Sequence, residues 1–409
     1  MRKLKRCRIS GDEDLLPVLN LGNQCLTGVF PKDSNHTPTK GPLDLVWSPR
    51  SQLLQLGHTY NMDEMYGVNY GYRSGLNGSM VQHLKAKVNY LERCVPLNTN
   101  DIVLDIGSND ATLLNEYSRT DICKVGIDPT GRKFGKYYKN ETSLIPEFFT
   151  ESVYRQRCGN KNAKIITSIA MFYDLEDPNE FISEIVNILK HDGLWHCEMS
   201  YMPSMLRTNA YDTVCHEHLE YYSLTVVKHL LEDHDLRITD VWMNSVNGGS
   251  FAFNAVHKNS KIQANDTIIE WMVTQEEKMG IDTPGPFREF ETRVFRHKVD
   301  LINLIKSLNE DGKRVLGYGA STKGNVLLQF CGFNSSDIQC IGEINSDKFG
   351  CVTPGSNIPI VNETEMHRQK PDYLLVLPWH FKNSIMNREI NYLNRGGKLI
   401  FPLPEIEVI

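Results

Sequence analysis

Val103-Leu-Asp-Ile-Gly-Ser-Asn-Asp-Ala-Thr-Leu-Leu114 is the stretch around which this chain is organised. An apolar run meets Gly107 and small polar residues, which predicts a buried parallel strand, a tight turn and a helix that begins near Thr112. Glycine lets the backbone approach a ligand closely, and the free N–H groups of a helix start face the carboxyl end of the strand. The stretch therefore predicts a ligand-binding loop at the edge of a parallel sheet.

A second predicted strand, Lys124-Val-Gly-Ile-Asp-Pro129, ends in an acid. Asp128 follows Asp105 by about 20 residues, the distance expected for a carboxylate that holds ribose hydroxyls. Because the loop is not G-x-G-x-x-G, a compact adenosyl ligand is favoured over a dinucleotide. The alternative is a doubly wound domain whose glycine turn binds nothing.

Composition and charge restrict the class of protein. The chain has 409 residues, 40% of them hydrophobic and 23% charged, which predicts a globular protein of two or three domains. A net charge of −6 argues against general binding to nucleic acid or to an anionic membrane. There is no apolar run of the ~20 residues that a membrane span needs, and the ten cysteines contain no C-x-x-C pair. We therefore expect reduced thiols and a cytoplasmic location.

The order of predicted elements divides the chain into three parts. Residues 1–65 have short apolar pieces between polar turns and predict a small irregular module. Residues 66–250 alternate predicted strands and helices, which is typical of a parallel doubly wound sheet. Pro284-Gly-Pro286 marks a boundary, and residues 251–409 contain a second set of strands and helices. The predicted fold class is α/β, with two Rossmann-like domains and a small N-terminal module.

A histidine-rich segment carries the candidate chemistry. His216-Glu-His218 lies beside Tyr221 and Tyr222. Imidazole titrates near neutrality and suits proton transfer, and a neighbouring carboxylate can orient it or bind a substrate hydroxyl. Two alternatives are a metal site and a solvated polar loop, although the segment lacks the i, i+4 histidine spacing of zincins.

Two glycine-containing segments are candidates for substrate contacts. Gly317-Tyr-Gly-Ala-Ser-Thr-Lys323 follows a predicted strand, so its hydroxyls and lysine could take a phosphate at a helix N-terminus. We identify no acid at a matching distance and expect no second adenosyl cofactor there, and the alternative is a glycine turn that only packs a helix. Asn247-Gly-Gly249 predicts a hairpin turn that approaches a ligand closely.

These motifs in this order resemble those of the nucleotide-sugar C-methyltransferases of deoxysugar biosynthesis. The resemblance covers nearly the whole chain and is carried by Y-G-Y-R-S, D-I-G-S-N-D, G-I-D-P, H-E-H, N-G-G, G-Y-G-A-S-T-K and P-W-H. It implies a zinc module, a central S-adenosylmethionine-binding domain and a C-terminal Rossmann-like domain. It also implies a nucleoside-diphosphate 4-keto sugar substrate, deprotonated at C3 by a base, whose enolate takes the methyl group.

The resemblance assigns roles to residues of this sequence. The family's base matches His218, its neighbouring acid matches Glu217, and a hydroxyl on its N-terminal loop matches Tyr72 or Tyr70. Candidate donors to the enolate are Tyr72, Tyr222 and His216. The predicted cofactor-binding residues are Asp105, Gly107, Asn109, Asp110, Asp128, Pro129, Phe149 and Ser168. The predicted substrate-binding residues are Tyr70, Arg73, Ser74, Asn247, Gly248, Tyr318, Ser321, Thr322, Lys323, Lys348, Trp379 and His380.

Three departures from the family pattern carry further expectations. Of the zinc cysteines only Cys7 is present, with Ser10, Ser48 and Ser51 at the other places, so no metal is expected. Cys215 replaces a tyrosine and Asp174 a histidine, which predicts a changed substrate or changed enolate stabilisation.

Other functions and the assembly stay open at this point. The rival functions are an O- or N-methyltransferase of a sugar nucleotide and a catalytically idle sugar-nucleotide-binding protein. The partner is a small molecule, with neither nucleic acid nor membrane, and the sequence favours neither a monomer nor a homodimer.

Overall fold

The quoted stretch lies in the middle of a seven-stranded sheet. The structure is a computed structural model that describes residues 1–32, 38–66, 72–139 and 141–409. Five neighbouring strands are parallel, and the sixth and seventh form an antiparallel hairpin at one edge. Across the sheet the strands are Thr142–Ile145, Cys123–Ile127, Ile102–Ile106, Ala163–Ile169, Leu189–Ser200, Ser250–His257 and Leu236–Asn244. The sheet thus continues through Ser250–His257, beyond the boundary expected at residue 250.

The segment after Ile102–Ile106 differs from the prediction. The helix expected at Thr112 is replaced by turns and the short 3-10 helix Leu114–Glu116. Asn109 and Ala111 have positive φ angles of 48° and 59°, which interrupt a right-handed helix. The Asp110 carboxylate also accepts hydrogen bonds from the backbone N–H and the hydroxyl of Thr112, at 3.2 and 2.5 Å, so local side-chain bonds replace helical ones.

The second sheet forms the C-terminal domain. Its six strands are parallel except the last, and their order is Ile360–Asn362, Ile341–Glu343, Val315–Tyr318, Tyr373–Val376, Lys398–Phe401 and Glu407–Val408. Each sheet begins with a central strand, and the chain then builds outward on both sides of it. Ligands bind at the carboxyl ends of strands where such an order reverses. The α/β prediction with two Rossmann-like domains is confirmed.

Helices cover the faces of both sheets. Apolar side chains of Gly78–Cys94, Pro178–Ile188, Leu224–Glu232 and Gly285–Glu310 are buried against them. The remaining helices are Met62–Tyr66, Gly131–Phe134, Glu151–Cys158, Met202–Arg207, Asp266–Met279, Thr322–Cys331, Glu363–Arg368, Lys382–Arg388 and Ile390–Leu393. Within the described ranges we find no helix long and apolar enough to cross a membrane.

The N-terminal module is a β-sheet, and the expectation of an irregular module was wrong. Strands Leu16–Cys25, Lys40–Trp47 and Leu54–Leu56 form an antiparallel sheet that Glu220–Tyr221 extends. In Lys40–Trp47 buried and exposed residues alternate, the period of a strand with one buried face. The fourth strand comes from far along the chain, so local sequence could not reveal the sheet.

The three parts of the chain are packed into one another. A single apolar cluster contains Trp47 of the first sheet, Tyr211 of the central region and Phe290 and Phe401 of the C-terminal region. Gln329 exchanges two hydrogen bonds with the backbone of Cys25, at 2.7 and 3.2 Å. This packing sets the position of the two Rossmann-like sheets relative to each other.

Candidate functional site

A cavity of about 1300 Å³ lies between the carboxyl edges of the two sheets. Its wall includes Gly107 and Asp128 from the central domain, His218 from the histidine-rich segment, and Gly319 and Lys323 from the C-terminal domain. Segments that are far apart in sequence therefore form one continuous site.

The glycine loop of the central domain has the geometry expected of a nucleotide loop. Gly107 has a φ of +74°, and a Cβ there would lie 3.0 Å from Met171 Cγ, so a larger residue would be strained at this position. The Gly107 N–H donates to the Ile127 carbonyl at 2.9 Å, and the Asn109 N–H donates to Asp128 Oδ2 at 2.7 Å. The loop is thereby fixed to the end of the neighbouring strand.

Two buried carboxyls face the cavity beside this loop. Asp128 also accepts from the N–H and hydroxyl of Thr130, at 2.7 and 2.6 Å, and burial raises its pKa. Burial raises the pKa of Asp105 to about 7, although the Thr167 hydroxyl donates to it at 2.5 Å. Carboxyl groups held in this way are suited to bind ligand hydroxyls or a ligand cation. Either would supply the hydrogen bonds or the positive charge that a buried carboxylate lacks in the protein interior.

Pro129 and Phe149 also line the cavity, as predicted, whereas two other predicted cofactor residues do not. Asp110 turns away from the cavity to accept hydrogen bonds from Thr112 and from the Gly75 N–H, at 3.0 Å. Ser168 is completely buried and accepts from the Trp195 indole at 3.1 Å. Both residues support the loop from behind, and their assignment as ligand contacts is corrected.

A hydrogen bond to the backbone fixes the tautomer of His218. Its Nδ1 lies 2.8 Å from the Thr213 carbonyl, and since a carbonyl only accepts, Nδ1 carries the proton. In the neutral ring Nε2 is then the unprotonated nitrogen. Burial and the Lys323 ammonium lower the pKa of His218 to about 3, so the ring is neutral at neutral pH. His218 also packs edge-on against Tyr173, with 4.4 Å between ring centroids.

Glu217 lies on the cavity wall beside His218. Burial raises its pKa to about 7. Its carboxylate also approaches Gly28 so closely that a Cβ at residue 28 would lie 2.1 Å from Oε1. The N-terminal module thus shapes the acid's surroundings, and a larger residue at position 28 would displace the Glu217 carboxylate.

His216 and Tyr222 do not line the cavity, although the sequence made both candidate donors to an enolate. His216 is completely buried against Tyr60, with 4.6 Å between ring centroids, and burial lowers its pKa to about 4. Tyr222 is completely buried against Phe172. Both side chains are packed in the core and not on the cavity wall, so the expectation of a donor role for these two is corrected.

The tyrosine-rich loop forms one rim of the cavity. Tyr72, Arg73 and Ser74 all line it. The Asn109 side chain connects this rim to the glycine loop of the central domain. It accepts a hydrogen bond from the Ser74 N–H at 2.9 Å and donates one to the Tyr72 carbonyl at 3.3 Å. Tyr70, the other predicted hydroxyl, lies outside the described residues.

The C-terminal wall brings together most of the predicted substrate residues. Tyr318, Ser321, Thr322, Lys323, Lys348 and Asn247 line the cavity. The Lys323 ammonium donates to the Asn247 carbonyl at 2.5 Å, and the Lys348 ammonium donates to the Ala320 carbonyl at 2.7 Å. An ammonium has three donors, so each lysine is fixed in place while further protons are left for a ligand.

Glu343 is a site residue that the sequence analysis missed. It follows the second strand of the C-terminal sheet, lines the cavity and accepts the Ala320 N–H at 3.0 Å. The Gly319 N–H donates to the Gly342 carbonyl at 2.8 Å, and Gly319 has a φ of +79°. These contacts repeat those around Gly107 and Asp128 in the first domain. The apolar strand that ends at Glu343 was the signal that could have found it.

Three predicted substrate residues lie behind the wall instead of on it. Trp379 donates its indole N–H to the buried Asp212 carboxylate at 2.7 Å. A Cβ at Gly248 would lie 3.2 Å from the Trp379 ring, and burial lowers the pKa of His380 to about 3. Gly248, Trp379 and His380 therefore join the domains, and their assignment as substrate contacts is corrected.

The places of the family's zinc cysteines hold one thiol and three hydroxyls in this chain, and the Ser48 hydroxyl has no hydrogen-bond partner among the described residues. Cys7 Sγ lies 3.1 Å from Ser51 Oγ, Ser48 is completely buried, and hydrogen bonds from Ser10 and Ser51 lower the pKa of Cys7. One thiol with three hydroxyls is a poor donor set for zinc, and the described residues contain no group of three or more histidine, cysteine or acidic side chains that could hold a metal. The residues present do not fit zinc.

The residues around Gly107 do fit an adenosyl ligand. A Cβ at Gly107 would crowd the Met171 side chain, the buried acid Asp128 follows the second strand, and Pro129 and Phe149 offer apolar surface beside it. Asp128 would hold the ribose hydroxyls, and the apolar side chains would cover the base.

Comparisons with known proteins cover almost all of the chain. Family models match a zinc binding domain over residues 7–66, a methyltransferase domain over 81–241 and a C-methyltransferase C-terminal domain over 245–404. The C-methyltransferase NovU of Streptomyces niveus is 32% identical over 412 positions, which span all of this chain and 98% of that protein.

Solved methyltransferase structures are similar to part of this chain. The methyltransferase bound to the Haloferax volcanii Trm112 activator is 14% identical, with a TM-score of 0.36 over 45% of this chain and 94% of that one. The magnesium protoporphyrin IX methyltransferase of Synechocystis PCC 6803, with bound S-adenosylmethionine, is 12% identical, with a TM-score of 0.32 over 44% of this chain and 78% of that one. Neither likeness adds to the argument.

Proposed function

Because this chain belongs to the C-methyltransferase family, we propose that it methylates a carbon of a nucleoside-diphosphate 4-keto deoxysugar, at C3. The predicted dependence on S-adenosylmethionine is confirmed by the family. The observation that carries the proposed substrate is the shared cavity, whose wall contains the Gly107 loop, His218 and a second nucleotide-type loop at Gly319. An adenosyl ligand needs only one such loop, and the other is available to a substrate with its own nucleoside.

The C-terminal wall has the chemistry that a nucleoside diphosphate requires. Glu343 is placed like Asp128 and would accept hydrogen bonds from the nucleoside's sugar hydroxyls. Lys323 and Lys348 would neutralise the diphosphate, and the first N–H groups of Thr322–Cys331 point toward the same region. A sugar attached to that diphosphate would extend toward His218, between the two loops.

The protein's own groups would carry out the proton transfer. His218 Nε2 takes the proton from the carbon next to the ketone, and the electron pair of that C–H bond moves into the ketone as an enolate. Tyr72 and other donors of the cavity wall would stabilise the enolate oxygen. When bound, S-adenosylmethionine supplies an electrophilic methyl group. The walls hold the nucleophilic carbon in line with that group and exclude water.

The test is incubation of the protein with S-adenosylmethionine and a panel of 4-keto deoxysugar nucleotides. We expect mass spectrometry to show the gain of one methyl group and NMR to show a new C–CH3 bond at C3. A new O–CH3 or N–CH3 bond would identify the rival methyltransferases. Binding of sugar nucleotides without any transfer would identify the idle binding protein.

A further inference from the structure

Asp174 is a cavity residue with a free carboxyl oxygen. It ends the 3-10 helix Phe172–Asp174, which follows the central strand Ala163–Ile169. It lines the cavity, and its Oδ1 is buried without a hydrogen-bond partner among the described residues. The Tyr66 hydroxyl interacts with the carboxyl group. Buried polar atoms nearly always have partners, so the free oxygen indicates a ligand atom.

The contacts of the neighbouring residue place Asp174 against the loop of the catalytic base. The Tyr173 carbonyl accepts the Leu219 N–H at 2.7 Å, and the Tyr173 ring contacts the His218 ring. Asp174 is the next residue in the chain and faces the same cavity as His218. A substrate atom bound beside His218 would therefore lie near the Asp174 carboxyl group.

The surroundings of Asp174 are acidic or neutral. The groups that face it are Tyr66, Cys215, Glu217, Glu220 and Tyr221. Arg8 pairs with Glu220 at 3.5 Å, and the ion pairs of the described residues include neither Asp174 nor Glu217. Burial and the negative charge of Glu217 raise the pKa of Asp174 well above its ordinary value. Burial therefore favours the protonated form of this carboxyl group, which can donate a hydrogen bond.

We propose that Asp174 is a neutral hydrogen-bond donor to the substrate oxygen on which negative charge develops when His218 removes the proton. This inference rests on the proposed function. A base as weak as His218 needs such help, because the energy of the enolate decides how readily the carbon loses its proton. A neutral carboxylic acid in an apolar site donates a strong hydrogen bond to an oxyanion.

The test compares two substitutions of Asp174. Asp174→Asn keeps an N–H donor of similar size, whereas Asp174→Ala removes the donor. We expect kcat of Asp174→Asn to stay within about threefold of the wild type and kcat of Asp174→Ala to fall about tenfold or more, with the Kd for S-adenosylmethionine unchanged in both. Asp233→Asn, at an exposed position, is the matched control and should have wild-type kinetics.

Infrared spectroscopy tests the protonation state of the folded wild-type protein. At pH 7 the difference spectrum between wild type and Asp174→Asn should contain the C=O stretch of a neutral carboxylic acid. Absence of that band, or an Asp174→Asn variant as impaired as Asp174→Ala, would overturn the inference, and so would an unimpaired Asp174→Ala variant. If the wild type methylates no sugar nucleotide, the proposed function fails, while the infrared band still decides whether Asp174 is a donor.

Discussion

Replacement of His218 by asparagine separates its chemistry from its structural contact. The asparagine amide can donate to the Thr213 carbonyl as Nδ1 does at 2.8 Å, but nothing then occupies the place of Nε2. General-base catalysis contributes roughly 10²–10⁴ in rate, so kcat should fall by that factor, or about 3–5 kcal/mol in the activation free energy. S-adenosylmethionine should bind as it does to the wild type.

The pKa of His218 gives this prediction a second, pH-dependent part. With a pKa of about 3, about 99% of the rings are neutral at pH 5, whereas an ordinary pKa of 6.5 would leave about 3% neutral. Protonation of His218 should therefore cause no loss of wild-type kcat between pH 7 and pH 5.

The assay is single-turnover transfer of a labelled methyl group, with calorimetry for cofactor binding. His229→Asn, at an exposed position, is the control and should keep wild-type activity. A His218→Asn variant that keeps more than about a tenth of kcat would refute the assignment of the base, and a loss of cofactor binding would point to a folding defect instead.

Three further predictions concern the two loops and the core. Glu343→Gln should raise KM for the sugar nucleotide by about 10-fold or more, because a charged hydrogen-bond acceptor is lost. The Kd for S-adenosylmethionine, measured by calorimetry, should be unchanged. The reverse result would mean that S-adenosylmethionine binds at the C-terminal loop and the sugar nucleotide at the Gly107 loop. Gly107→Ala should weaken S-adenosylmethionine binding in the same assay and lower stability by about 1–2 kcal/mol, because φ is positive there; wild-type affinity would contradict the proposed loop. The buried His216, with a pKa of about 4 against 6.5, binds a proton more weakly when folded, so the wild type loses stability as pH falls from 6.5 to about 4. His216→Phe should lack this loss, about 3 kcal/mol, in urea titrations at pH 7 and pH 4; equal losses in the two proteins would show that the ring is not buried as described.

Local sequence patterns predicted the strands and the residues that follow them. Gly107, Asp128, His218 and Lys323 line the cavity as expected because strand ends and glycine turns are local features. The failures were also systematic. His216 and Trp379 belong to motifs that reach the cavity, but their own side chains are buried in the core. Which side chain of a motif faces the cavity depends on the residues that pack against the motif, and these are far away in the sequence.

The sequence by itself determined the α/β class, the glycine loop at Gly107 and the polar segment that contains His218, because periodicity, glycine turns and titratable side chains are properties of short stretches. Only the tertiary structure decided that the N-terminal module is a sheet completed by Glu220–Tyr221, that Glu343 repeats the placement of Asp128, and that Asp174 has a buried oxygen without a partner among the described residues. Each of these depends on contacts between residues far apart in the chain. The cost of burying a polar group without a partner, which makes Asp174 informative, exists only once the chain has folded around it.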